Sequence, residues 1–182
     1  LSHLLLRMFD PAQGQILING TDLRDLQHNS WLEKIGYIPQ KSQVFDGTLL
    51  DNLLYGHVGV SDEEVAQVVK SLRVDFGDRL VDGLDTKVGH DGIELSGGAQ
   101  QRLMAASATF GKPRFMIIDE ATSSLDSETE ADFQAGLDAI LDTGVGAVII
   151  AHRLSTVRRC DKFIILRPAS DVTEDCTQIE TI

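Results

Sequence analysis

The chain has 182 residues, the size of one domain or of one domain with a small lobe attached. Its 28 acidic and 16 basic side chains give a formal net charge of -12, which argues against a general electrostatic grip on DNA, RNA or an anionic membrane surface. A hydrophobic fraction of 42% with 24% charged residues fits a globular core, no apolar run approaches the roughly 20 residues that cross a bilayer, and two cysteines, Cys160 and Cys176, make neither a disulfide framework nor a zinc pattern.

The chain opens as a helix already under way, with Leu1, Leu4, Leu5 and Met8 on one face. Asp10-Pro11 is expected to end it, because the residue before a proline is pushed out of the α region. No cap precedes this helix, so the reading expects further chain upstream of Leu1. Residues 15–20 read as a strand closed by the Asn19-Gly20 turn, and residues 35–38 as a strand stopped by Pro39. Ser61 and Glu64 form a capping-box pattern, followed at helical spacing by Val65, Val68, Val69 and Leu72. Residues 75–93 are rich in Gly and Asp and read as loop with room for short helical pieces.

Three short apolar runs then lack alternation: 115–118, 147–151 and 163–166. Strands buried on both faces of a parallel sheet have this composition. A helix lies between the first two, with a capping-box pattern at Ser127 and Glu130 and an apolar face of Phe133, Leu137, Ile140 and Leu141. Strand, helix, strand in that order is a βαβ unit, so the expected class is α/β, a mostly parallel sheet with flanking helices. Residues 168–182 are polar and acidic and are expected to fray.

Four segments carry possible chemistry. Asp119-Glu120 follows the run 115–118, and ligands of open α/β sheets bind at the carboxyl ends of the strands. Asp119 there can hold magnesium, directly or through water, and Glu120 can polarise a water attacking a phosphate. A solvated strand end has the same composition. Leu95-Ser96-Gly97-Gly98 opens a helical run and bares the amides of a helix N-terminus, which attracts phosphate. An ordinary N-cap serine followed by a glycine turn also fits. His152 follows another apolar run, within reach of the same sheet edge, where a neutral imidazole can contact a terminal phosphate or orient water. Gln40 follows a strand end through Pro39, and its amide oxygen could ligate magnesium. Taken singly, His152 and Gln40 are unremarkable.

In combination, these segments resemble the nucleotide-binding domain of an ABC transporter. The resemblance covers about residues 1–167. Ser96-Gly97-Gly98 within 95–102 resembles the family signature, and 115–120 resembles Walker B with its catalytic glutamate. Ser123-Ser124-Leu125-Asp126 resembles the D-loop, Gln40 the Q-loop glutamine, and His152 the switch histidine. The resemblance implies a RecA-like core with a helical subdomain at about 41–110, and a second core part at about 111–167. It implies ATP and Mg2+ as cofactors. Glu120 and His152 would then be catalytic, Asp119 and Gln40 would hold the metal, and Gln40, Ser96, Gly97, Gly98 and Asp126 would bind nucleotide. The implied partners are a second such domain, head to tail, and a transmembrane domain, which places the chain on the cytoplasmic face of a membrane. Two ATP molecules would lie between the paired domains, and no nucleic acid is expected.

Residues 44–48, 51–56 and 83–89 are similar to exporter-type cassettes. The chain also departs from the pattern. The glycine-rich phosphate loop would directly precede Leu1, so these residues alone are expected to be inactive in hydrolysis. Ala99 stands where glutamine is usual, His90 where an acidic residue is usual, and Ser107 where arginine is common. A degenerate, non-catalytic cassette is one alternative. A soluble ABC ATPase acting on DNA is another, but the roughly 55 residues between Gln40 and Ser96 contain no sustained heptads.

Overall fold

The protein is described from a computed structural model covering residues 1–74, 76, 80–122, 125, 127–151, 160–165 and 179–180. Two compact units, residues 1–150 and 151–182, are treated in turn.

In the first unit, α1 (Ser2–Leu5) is shorter than its apolar spacing predicts. Arg7 adopts a φ of 52°, a left-handed conformation that ends a helix. Met8 therefore projects into solvent, and Ser2 and Leu6 are the buried residues here. Trp31 Nε1 donates to the freed Leu5 carbonyl at 2.8 Å and ties the helix end down. β1 (Leu17–Ile18) and β2 (Thr21–Asp22) form an antiparallel hairpin. Its turn residues Asn19 and Gly20 have φ of 50° and 83°, which a type I′ turn requires. A 3-10 turn at Leu23–Asp25 and α2 (His28–Leu32) lead into β3 (Ile35–Ile38), which stops at Pro39 as expected.

β4 (Gly47–Thr48) precedes α3 (Leu49–Leu53), which opens on a reciprocal capping box. The Thr48 hydroxyl accepts from the Asp51 amide at 3.0 Å, and the Asp51 carboxylate accepts from the Thr48 amide at 2.8 Å. The bonds from Thr48 hold the Asp51 carboxyl below its ordinary range. In α4 (Asp62–Ser71) only half of the predicted box forms: Ser61 Oγ accepts from the Glu64 amide, while the Glu64 side chain faces Lys112 at 3.8 Å. β5 (Lys87–Val88) pairs antiparallel with β4.

α5 (Gly97–Thr109), β6 (Phe115–Asp119), α6 (Ser127–Leu141) and β7 (Gly146–Ile150) complete this unit. α6 starts at Ser127, whose side chain lies outside the described residues, as does the expected capping box there. Phe133 and Leu137 on α6 are fully buried. β6–α6–β7 is the expected βαβ unit, and the parallel sheet has the order β3-β6-β7. Central β6 buries Met116, Ile117 and Ile118 on both faces. β7 is only half-buried, because among the described residues it has one sheet neighbour.

The second unit corrects one expectation. β8 (Phe163–Ile164) does not join a parallel sheet among the described residues but pairs antiparallel with β9 (Ile179–Glu180). Ile164 is exposed. A short apolar run carries no information about which ladder it joins, and its partner lies in the tail expected to fray. No helix among the described residues is long and apolar enough to cross a membrane.

Two close contacts organise the first unit. A Cβ on Gly36 of β3 would lie 2.6 Å from the Ala108 carbonyl oxygen of α5, so glycine is what lets helix and strand meet. Asn52, 2% exposed, accepts from the Phe45 amide at 2.8 Å and donates to the Phe45 and Thr48 carbonyls at 3.0 and 2.9 Å. One side chain thus supplies the partners for a segment with little ladder of its own.

Gly36→Ala should destabilise the protein by about 1–3 kcal/mol, the usual cost of overpacking a core. Urea unfolding should show a lower midpoint at unchanged slope, and an unchanged midpoint would contradict the close contact. Asn52→Ala should cost about 1–3 kcal/mol, because three backbone groups lose their partner. Amide hydrogen exchange at Phe45 should accelerate with it. Asn52→Asp should fare no better, since a carboxylate would face two carbonyls.

Candidate functional site

The site follows from strand register. β3 and β6 run parallel with Ile38 opposite Ile118. Two residues further, at the carboxyl edge, the same register sets Gln40 opposite Glu120. Their side chains meet there: Gln40 Nε2 donates to Glu120 Oε2 at 2.6 Å. Two residues 80 apart in sequence thus form one charge-assisted pair.

The adjacent carboxylates have separate settings. Asp119 is the last residue of β6, and its Oδ2 accepts from the Ser2 hydroxyl at 2.6 Å. Ser2 is buried, so α1 supplies a fixed donor to Asp119. Tyr37 of β3 lies beside them; burial pushes its hydroxyl above the ordinary range, and the Asp119 charge pushes further the same way. Glu120 leaves the strand with a φ of 47°. That left-handed step is costly for a residue with a Cβ, and it is held by the Glu120 amide donating to the Ile150 carbonyl of β7 at 2.8 Å.

Ser96 and the glycines lie elsewhere in the unit. Ser96 caps α5, its Oγ accepting from the Ala99 amide at a long 3.3 Å. Ser96 and Gly97 are exposed, so the first turn of a 13-residue helix is open to solvent. Ser96 has no hydrogen bond to Asp119 or Glu120. The link between α5 and the sheet edge is Gln101, whose Nε2 donates to the Gln40 carbonyl at 3.2 Å.

The structure therefore brings Gln40, Asp119 and Glu120 to one edge, while Ser96, Gly97 and Gly98 open α5. His152 and Asp126 lie outside the described residues, as do Ser123 and Ser124. Sequence reasoning missed Ser2, Tyr37 and Gln101. Ser2 and Tyr37 reach Asp119 only through the fold, and Gln101, flanked by Gln100 and Arg102, carries no signal in the sequence that it is the buried one.

A second surface begins two residues beyond Gln40. Ser42, Val44, His90, Glu94 and Gln100 line an open groove of about 760 Å³. Phe45, on the same groove, stacks on Tyr55 with ring centroids 4.6 Å apart, and both rings are exposed.

Comparison with known proteins agrees with this geometry. The ABC transporter family profile matches residues 1–123. The chain is 38% identical over 174 residues to the ABC multidrug transporter mdr2 of Aspergillus fumigatus, spanning 96% of this chain and 22% of that protein. It is 38% identical over 175 residues to the ATP-dependent lipid A-core flippase of Syntrophus aciditrophicus, spanning 96% of this chain and 29% of that protein. A solved bacterial Atm1-family ABC exporter with ATP bound superposes with a TM-score of 0.84 at 38% identity, over 91% of this chain and 29% of that one. The chain thus spans under a third of the length of these relatives. With the α/β core, the parallel sheet edge and the signature helix all in place, the chain belongs to the ABC transporter family.

Proposed function

We propose that this chain serves as the ATP-binding and ATP-hydrolysing domain of an exporter-type ABC transporter, on the cytoplasmic face of a membrane, coupling hydrolysis to transport. The observation that carries the reading is the Gln40–Glu120 pair beside Asp119 at the carboxyl edge of the sheet. A carboxylate and an amide oxygen are hard donors suited to magnesium, which is usually held by one or two protein oxygens together with phosphates. Asp119 and Gln40 are the residues that would hold it. Bound ATP with Mg2+ supplies the phosphoanhydride to be cleaved.

The chain's own residues have distinct tasks in this reading. Glu120 takes up a proton from water at a carboxylate oxygen. The Gln40 amide fixes which way that carboxylate points, and Ser2 does the same for Asp119. His152 contacts the terminal phosphate, and Asp126 belongs to the loop between domains. Ser96, Gly97 and Gly98 offer backbone amides and a hydroxyl to nucleotide held by a second domain, packed head to tail. The exposure of Ser96 and Gly97 supports a site completed by two domains. The groove at Ser42, Val44 and His90, with the Phe45–Tyr55 stack, suits a segment of the membrane-spanning domain, and residues 41–110 would act as the helical subdomain that relays motion to it. α3 and α4, the two helices between Gln40 and α5 among the described residues, have five and ten residues. Neither is the long coiled coil of a DNA-acting ABC ATPase.

In the assembled transporter, Glu120→Gln should leave ATP binding largely intact and lower turnover by about 10²–10⁴-fold, since the carboxamide keeps the shape but cannot accept a proton. Near wild-type hydrolysis would sink the assignment. Ser96→Arg should abolish hydrolysis while nucleotide still crosslinks to the single domain. Normal ATP-dependent dimerisation of that variant would place the signature outside the shared site. A degenerate cassette would instead dimerise without any turnover for Glu120→Gln to remove.

A further inference from the structure

We propose that Gln101 is a positioning residue for hydrolysis: from the signature helix it holds the Gln40 backbone, and through Gln40 it sets the carboxylate of Glu120. The inference rests on the proposed function and adds a link inside one chain between the signature helix and the general base.

The geometry begins with how α5 lies on β3. Ala108 touches Gly36 at one end, and Gln101 touches Gln40 at the other. Seven helical residues rise about 10.5 Å, and four extended residues span about 13 Å. The two contacts thus belong to one antiparallel seam. Gln101, Ala105 and Ala108 recur at i, i+4 and i+7, the spacing of a single helix face, and Ala105 is fully buried. The seam is tight at Gly36, where no side chain intervenes. It ends on a hydrogen bond at Gln40, just beyond the sheet ladder.

Gln101 is a poor choice for packing alone. It is 1% exposed, and while its Nε2 donates to the Gln40 carbonyl, its Oε1 is buried without a hydrogen-bond partner. An apolar residue of equal size would remove that orphan oxygen, giving up only the donor to the Gln40 carbonyl. Ser42 Oγ, two residues beyond Gln40, is also buried without a partner. Both buried, unpartnered side-chain atoms found among the described residues thus adjoin the loop that carries Gln40. A loop tied to α5 through a side-chain donor, with two buried atoms beside it unpartnered in this arrangement, is suited to a second one. The Gln40 side chain carries any shift onward, because its Nε2 sits 2.6 Å from Glu120 Oε2.

The test uses the assembled transporter with Gln101→Met, which keeps the size and removes both the donor and the orphan oxygen. Gln40→Ala, the double variant and Glu120→Gln accompany it. We expect Gln101→Met to melt no lower than wild type, to keep KM for ATP within about twofold and to lose about tenfold in kcat, in line with the sensitivity of rate to small misplacements. In the Gln40→Ala background the substitution should add little, since residues acting in series are not additive. An unchanged kcat in a stable variant overturns the inference, and so do losses that multiply in the double variant. Gln101→Leu guards against a defect peculiar to methionine. If both variants fail to fold, the residue holds the core and the inference is likewise overturned. If Glu120→Gln itself keeps hydrolysing, the functional reading has failed. If Glu120→Gln stops turnover and Gln101→Met does not change it, only the role of Gln101 has failed.

Discussion

The parallel register of β3 on β6 is the constraint from which the candidate chemistry follows. With Ile38 opposite Ile118, the residues two places beyond each strand end share one edge. A slip of one residue would turn every side chain of β3 to the opposite face of the sheet, and the Gln40–Glu120 pair could not form. The buried faces of Ile38, Met116 and Ile118 penalise such a slip, and so does the contact of Gly36 with Ala108, which no other residue of β3 could make. Core packing and site geometry are the same requirement here.

The signature helix meets this constraint at its middle and leaves its start free. α5 is clamped to the sheet at Ala108 and Gln101, while Ser96 and Gly97 stay in solvent. The capping bond of Ser96 is long at 3.3 Å. A long cap on an exposed first turn is easily exchanged for a stronger acceptor, and an anion is the strongest a helix N-terminus can meet. Under the proposed function, the open end belongs to the partner domain's nucleotide and the clamped middle to this domain's own loop. One helix would then report on both halves of a shared site.

How much of this was legible depended on the range of the interaction involved. The Asn19-Gly20 turn, the β6–α6–β7 unit and the start of α5 at Ser96 were readable, because each is set by residues a few positions apart. The first helix was misjudged because apolar spacing at Leu1, Leu4, Leu5 and Met8 carries no sign that Arg7 turns left-handed. The run at 163–166 was assigned to the parallel sheet because composition reports burial and not ladder type; its ladder partner is β9. For the site, motif residues were nameable in sequence, but their contacts were not. Nothing near Gln40 predicts that it faces Glu120, and nothing near Ser2 predicts that it holds Asp119. Those pairings exist only once the register is known.

Two locally unfavourable features adjoin Gln40 through its hydrogen bonds. Glu120 occupies a left-handed conformation that its side chain resists. Gln101 buries an oxygen with nothing to bond. Each is held by well-made structure around it: the Glu120 amide on the Ile150 carbonyl in one case, the Gly36–Ala108 seam in the other. Strain of this kind persists only where the surroundings over-determine it. The side chain between them, Gln40, bonds to Gln101 through its backbone and to Glu120 through its amide. Under the proposed role of Gln101, a loop joined to the signature helix on one side and to Glu120 on the other helps to orient that carboxylate, and motion of the helix would reach it through Gln40.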